Sequence, residues 1–275
     1  MPVIIRAKDH KLETSRVGTD FVQLLGPDTI GNDQIVLEYI KISAGTKYLI
    51  TLDSTMVGWV QILSGQGIFV NEVNILTPNI FSYLPLGFMD TFVGGESGAI
   101  LLLASVPRAK RFDNDIIDMP KVLRHIDWTR EPILESEHDA RKRVYLATFN
   151  LAGTNAFKGE MITYPPGAAA PEHYHVGAEH FQYILSGRVT ALLDGTRHFL
   201  ESGDVLYNYE NERHTFVNES DSDFVFVEFF VPGPCETVWS PGANVCAWLP
   251  TGIDSKGRKP IREISYHIHG QDENL

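Results

Sequence analysis

The chain has 275 residues, 43% hydrophobic and 21% charged, with 23 Gly, 15 Pro and a formal net charge of −12. That length can bury one large core or two small ones, and the Gly and Pro load favours short strands joined by turns over a helical bundle. No Lys/Arg-rich run is present, which argues against a nucleic-acid partner, and no stretch approaches the roughly 20 apolar residues that span a bilayer.

From the N-terminus, Met1 to Arg6 is too short in apolar length for a secretory signal. Cys235 and Cys246 cannot make a disulfide framework, so both read as small buried or half-buried thiols and a soluble cytoplasmic protein is expected. Residues 35–42, 59–63, 67–70 and 99–104 read as strands. Residues 113–143 are polar, contain Asp118-Met119-Pro120, and read as a linker with room for a short helix. Residues 181–185 and 189–193 are two strands, the second running into Asp194-Gly195, a pair suited to a hairpin turn that needs positive φ twice. A further strand, 223–230, is ended by Pro232-Gly233-Pro234. The last forty or so residues, with Trp239, Trp248 and Pro250, read as a segment packed on a barrel or on a partner subunit.

The chain repeats itself. Ile62-Leu63-Ser64-Gly65 returns as Ile184-Leu185-Ser186-Gly187 at an offset of 122, and Ala44-Gly45 falls opposite Pro166-Gly167 at the same offset. Thr91-Phe92-Val93 matches Thr215-Phe216-Val217 at 124. Three matches in one order mark two copies of one unit. Repeated short antiparallel strands with Gly turns imply an all-β chain of two double-sheet jelly rolls. The expected division is a first barrel over 1–112, a linker over 113–143, a second barrel over 144–235 and a C-terminal extension over 236–275.

Ten histidines are present, and none lies between His10 and His125. The second copy holds His173, His175, His180, His198 and His214. Residues i and i+2 of a strand share a face, so His173 and His175 converge, and several imidazoles on one inward face suit Zn, Cu, Fe or Ni. His198 reads as solvent-facing. His267-Ile268-His269 repeats the pattern in the tail and, with no second pair beside it, reads as surface.

These residues resemble the cupin family. Its first motif is Gly, five residues, His-x-His, three or four residues, Glu, six residues, Gly; here Gly167, His173-Tyr174-His175 and Gly187 keep those intervals, with His180 at the usual Glu position and Glu179 one residue early. In the second motif Gly203, His214 and Asn218 keep their places, while Tyr209 and Asn211 replace the usual Pro and Gly. At the repeat offsets Thr51, Asp53, Gly58 and Asp90 fall opposite His173, His175, His180 and His214. The first copy keeps Pro85-x-Gly87-x-x-Asp90, so its barrel is expected to be structural, a dimerisation surface or a lid, without metal ligands.

Alternation counted back from Gly187 puts His180, Gln182 and Ile184 on one face, so the expected ligands are His173, His175, His180 and His214, with Glu179 as the substitute for His180. Four neutral ligands leave the ion's charge uncompensated, which suits a small anionic substrate. Fe(II) and Mn(II) are favoured, with Ni or Zn also compatible. The candidate catalytic residues are Gln182, which reads equally as a substrate contact or a buried amide; Tyr209, which reads first as a wall aromatic; and Glu228, an acid/base candidate that reads first as outward-facing. The resemblance implies a non-haem Fe(II) dioxygenase first. The alternatives are a redox-neutral lyase, isomerase or hydrolase, similar in layout to the ureidoglycine aminohydrolases, or a non-enzymatic binding cupin. The ureidoglycine aminohydrolases carry Glu-x-His and a Gln where this chain has His173-x-His175 and His214. The resemblance also implies a homodimer.

Overall fold

The computed structural model describes residues 1–271 and 275. Apart from two four-residue α-helices and three short 3-10 turns, its regular structure is all β. The chain forms two compact units, one of Asp9–Trp128 with Leu151–Ala156, the other of Met1–Lys8, Thr129–Asn150 and Phe157–Leu275. Among the described residues no helix is long and apolar enough to cross a membrane.

These boundaries differ from the sequence expectation, and Leu151–Ala156, expected in the second barrel, groups with the first unit. The N-terminal strand Val3–Ile5 pairs with Val205–Asn208 and so groups with the second unit. The stretch read as a linker holds two strands: Arg124–Asp127 pairs with Ile80–Leu84, and Leu134–Ser136 with Lys142–Ala147 and Ala247–Pro250. Strands this short with polar residues on one face leave no apolar run to read in a sequence. The C-terminal extension is built into the second unit, adding Glu236–Trp239 to a five-stranded sheet and Ala247–Pro250 and His267–Ile268 to a nine-stranded one.

The first unit is organised by two long strands, Val57–Phe69 and Met89–Val106, paired from Val57 opposite Val106 to Phe69 opposite Phe92. Its interior is apolar, with Ile40, Ile50, Leu52, Val60, Leu84, Phe92, Leu101 and Leu103 in one buried cluster. Each such side chain contributes about 1.5–3 kcal/mol by leaving water. The two Ile-Leu-Ser-Gly turns have a common cause. Gly65 and Gly187 have φ of 74° and 79°, and a Cβ there would lie 2.2 Å from the Gly98 carbonyl oxygen or 2.3 Å from that of Asp223. The Asp194-Gly195 turn takes positive φ at both residues, 48° and 76°.

Strand register corrects the match between the two copies. His173 pairs with His214 in the second unit, and Ile50 pairs with Asp90 in the first. With Asp90 in the place of His214, Ile50 and Leu52 occupy the places of His173 and His175, and both are buried, while Thr51 and Asp53 are exposed. The ungapped count is wrong by one residue there, and a slip of one exchanges the two faces of a strand.

Candidate metal centre

The strand Phe224–Val231 runs between Glu179–Ser186 and Lys158–Tyr164 in the nine-stranded sheet. Side chains alternate along it. Phe224 and Phe226 join Tyr164 and Phe216 in an aromatic cluster, and Phe230 lies against His175 and His180, with ring centroids 4.9 and 5.2 Å apart. Glu228 lies between these groups and is 5% exposed. The outward reading of Glu228 is therefore corrected: both faces of this central strand are covered, so it has no water-facing side.

Four donors converge here. His175, His180, His214 and Glu228 each offer an atom, all within 4.8 Å of one another, and all four residues are buried. A second group, His173, His175 and His269, meets the same limit and shares His175 with the first. The five rings are close neighbours, with centroids of His173 and His214 at 4.4 Å, His175 and His180 at 4.7 Å, and His180 and His214 at 4.8 Å.

Local structure delivers each ring. His173 and His175 lie on one strand, His173 fixed through Nδ1 at 2.8 Å from the Pro171 carbonyl and His175 through Nδ1 at 3.2 Å from Thr237 Oγ1. The turn before His214 has Asn211 at φ 69°, a left-handed conformation that asparagine tolerates where the family motif has glycine. Asn211 N–H donates to the His175 carbonyl at 2.9 Å, and His214 Nδ1 lies 3.0 Å from the Glu212 carbonyl. His180 Nε2 is 3.2 Å from Asn208 Nδ2 and 3.6 Å from Glu228 Oε1.

Glu179 takes the other side of its strand, half-buried, and accepts a hydrogen bond from the Tyr207 hydroxyl. Tyr209 is half-buried and packs edge-on to Tyr207 at 5.2 Å, beside the Glu179 contact. Gln182 is buried opposite Glu228, donates to its Oε1, and accepts from Asn208 Nδ2 at 3.1 Å.

The electrostatics keep these rings neutral. Burial first, with neighbouring imidazoles or arginines adding to it, holds His173, His175, His180 and His269 well below the ordinary imidazole value. Burial takes His214 down to about 4. Burial first, then the nearby Glu160, pushes Glu228 up to about 8. Among the described residues, His175 Nε2, His180 Nδ1 and His269 Nδ1 are buried with no hydrogen-bond partner. A buried unmade hydrogen bond costs about 1–3 kcal/mol. Neutral imidazoles with unused nitrogens beside a carboxylate are the donor set a divalent cation uses.

Sequence reasoning missed several residues. His267 and His269, read as surface, are 6% and 7% exposed. Trp248 pairs with His267 in the sheet, and His269 N–H donates to the Cys246 carbonyl at 3.0 Å, which carries both rings inward. His267 Nε2 meets the Tyr145 hydroxyl at 2.8 Å, and Arg143 reaches the same hydroxyl at 3.1 Å. Arg143 also pairs with Glu160 at 3.1 Å, both side chains almost wholly buried. Arg141, held by Asp139 at 2.8 Å, lies 3.1 Å from Cys246 Sγ. Arg141, Arg143 and Tyr164 line a small cavity with His173 and His214 on its wall and Trp239 and Trp248 around it. Their signal was the alternation Arg141, Arg143, Tyr145, hidden because 113–143 reads as a linker.

Comparison with known proteins follows this geometry. Residues 160–230 match the model of the Cupin domain. Similar curated proteins are Polyketide synthase CurC of Streptomyces cyaneus, 33% identical over 81 residues, and Tetracenomycin polyketide synthase protein TcmJ of Streptomyces glaucescens, 27% over 79 residues. The matches take in 30% and 29% of this chain and 52% of each relative, so the chain spans about half the length of the curated relatives it matches. Among solved structures, a Bacillus subtilis oxalate decarboxylase variant superposes with a TM-score of 0.69 at 16% identity, over 86% of this chain and 79% of that one. The same enzyme at pH 4.6 gives 0.66 over 86% and 78%. At this identity the likeness is one of fold.

Proposed function

We propose that the chain is a two-barrel member of the cupin superfamily, on the Cupin-domain match over residues 160–230 and the likeness in fold to oxalate decarboxylase, and that it is a metal-dependent enzyme acting on a small carboxylate inside the second unit. The observation that carries the proposal is the convergence of His175, His180, His214 and Glu228 within 4.8 Å, in an interior that the first unit fills with Ile50, Leu52 and Leu103. These four residues would hold one divalent ion, Fe(II) or Mn(II) ahead of Ni or Zn. Bound there, the ion supplies Lewis acidity toward a carboxylate or enolate and, as Fe(II), an electron source for O₂.

The chain's own groups do the rest. Gln182 orients the Glu228 carboxyl, and Asn208 orients the Gln182 amide. Arg141 and Arg143 put positive charge on the cavity beside His173 and His214, which suits a carboxylate, and Phe216, Phe226, Trp239 and Trp248 keep water from it. The leading finer reading is a non-haem Fe(II) dioxygenase. The second is a redox-neutral lyase, favoured by likeness in fold to oxalate decarboxylases.

The test is metal content of protein purified without chelator or affinity nickel, then anaerobic Fe(II) loading and parallel O₂-uptake and CO₂-release screens on small carboxylates. Stoichiometric iron with O₂ uptake supports the dioxygenase. Bound metal with CO₂ release and no O₂ uptake supports the lyase. Protein that takes up no divalent metal refutes both.

A further inference from the structure

The C-terminal segment does more than cover the second unit. His269 is 7% exposed, its Nδ1 has no hydrogen-bond partner among the described residues, and its donor lies within 4.8 Å of those of His173 and His175. Three sides of the ring are occupied: its centroid is 6.0 Å from that of His173, 5.5 Å from His175 and 6.2 Å from Phe230. A buried imidazole in a purely structural role would bond its ring nitrogens to the backbone or a hydroxyl, as His267 does with Tyr145 at 2.8 Å. His269 faces two other imidazoles instead.

We propose that His173, His175 and His269 form a second seat for the metal ion, alternative to the seat at His175, His180, His214 and Glu228. The inference rests on the metal reading of this site. His175 belongs to both groups. Its Nδ1 is taken up by Thr237 and its Nε2 is the buried nitrogen without a partner. One nitrogen holds one ion, so the two seats exclude each other. The first seat has a carboxylate and the second has only neutral imidazoles, so an ion in the second keeps its full charge toward an anion. The second seat depends on the C-terminal segment, because His269 hangs from the two-residue strand His267–Ile268 at the end of the nine-stranded sheet. The segment that closes the unit thereby helps to choose where the ion sits.

The experiment is Co(II) binding to the full chain stripped of metal, followed by visible absorption and by competition with a chelator of known affinity. The variants are His180→Ala, which breaks the first seat, His269→Phe, which keeps a ring against Phe230 and Trp239, and the two combined. His269→Asn runs in parallel in case phenylalanine disturbs packing. His180→Ala is expected to keep bound Co(II) with a changed spectrum, and adding either His269 substitution is expected to weaken binding by about tenfold or more. Equal affinity and spectrum with and without His269, or no Co(II) bound by His180→Ala, overturns the second seat. His175→Ala separates the two ideas: if it binds Co(II) as the unaltered chain does, the metal reading itself fails.

Discussion

Gln182 sits opposite Glu228 in the second unit as Val60 sits opposite Leu103 in the first. Gln182→Val removes the donor to the buried Glu228 carboxyl and leaves Asn208 Nδ2 without its 3.1 Å acceptor. A buried polar group stripped of its partner costs about 1–3 kcal/mol; Glu228 loses its donor while Asn208 Nδ2 keeps its 3.2 Å contact with His180 Nε2, so the single change is expected to cost about 2 kcal/mol. Gln182→Val with Glu228→Leu recreates the apolar pair of the first unit, removes the repulsion with Glu160, and is expected to be at least as stable as the parent at neutral pH. The assay is urea unfolding of metal-free protein at neutral pH. With a urea dependence of about 1–3 kcal/mol per M, the single variant should unfold roughly 1 M earlier and the double should not. The pH dependence adds a second readout. Because the folded carboxyl is raised from 4.5 to about 8, the folded state binds the extra proton, and stability falls as pH rises from about 5 to 8. The stability of the double variant relative to the parent should therefore rise over that window. A single variant as mild as the double, or an effect flat with pH, would refute the claim that Gln182 and Glu228 form one buried polar unit.

The buried imidazoles predict acid sensitivity of the metal-free protein: from 6.5 to about 4, His214 alone is worth about 3 kcal/mol, because below 6.5 the unfolded chain takes a proton that the folded site refuses. Thermal unfolding after chelation should fall steeply between pH 6.5 and 4, and added Co(II) or Zn(II) should raise the midpoint at pH 7 but less at pH 5. Arg143→Met leaves Glu160 buried without its cation and should destabilise by about 3–5 kcal/mol by chemical denaturation, whereas Arg197→Met, whose partner Glu219 is exposed, should change stability by under about 1 kcal/mol. Gly187→Ala meets the Asp223 carbonyl at 2.3 Å and should lower the melting temperature clearly more than Gly195→Ala, which meets nothing within 4 Å and carries only the positive-φ cost of about 1–2 kcal/mol.

Much of this was legible before folding, because it depends on short-range rules. Gly65 and Gly187 answer to a local φ and a carbonyl beneath them, so the repeat showed itself as a repeated turn. His173 and His175 share a face because of strand pleating alone. That no histidine lies between His10 and His125 is read directly from the sequence, although which residues hold the corresponding places is not. Ile50 and Leu52 hold those places, one position from the count, because loop length and not strand pattern sets the offset.

Periodicity and turn chemistry, acting over a few residues, are enough to read two all-β units in the chain, the second with His173 and His175 on one face of a strand. Strand pairing then places His214 opposite His173 and brings further groups to them. His180 enters the cluster while Tyr207 holds Glu179 on the other side, and Glu228 faces inward because its strand is central. Arg143 and Glu160 pair across neighbouring strands, and His269 arrives from almost a hundred residues beyond His173. Strand pairing and burial bring those groups together, and no local pattern records which distant strand lies alongside.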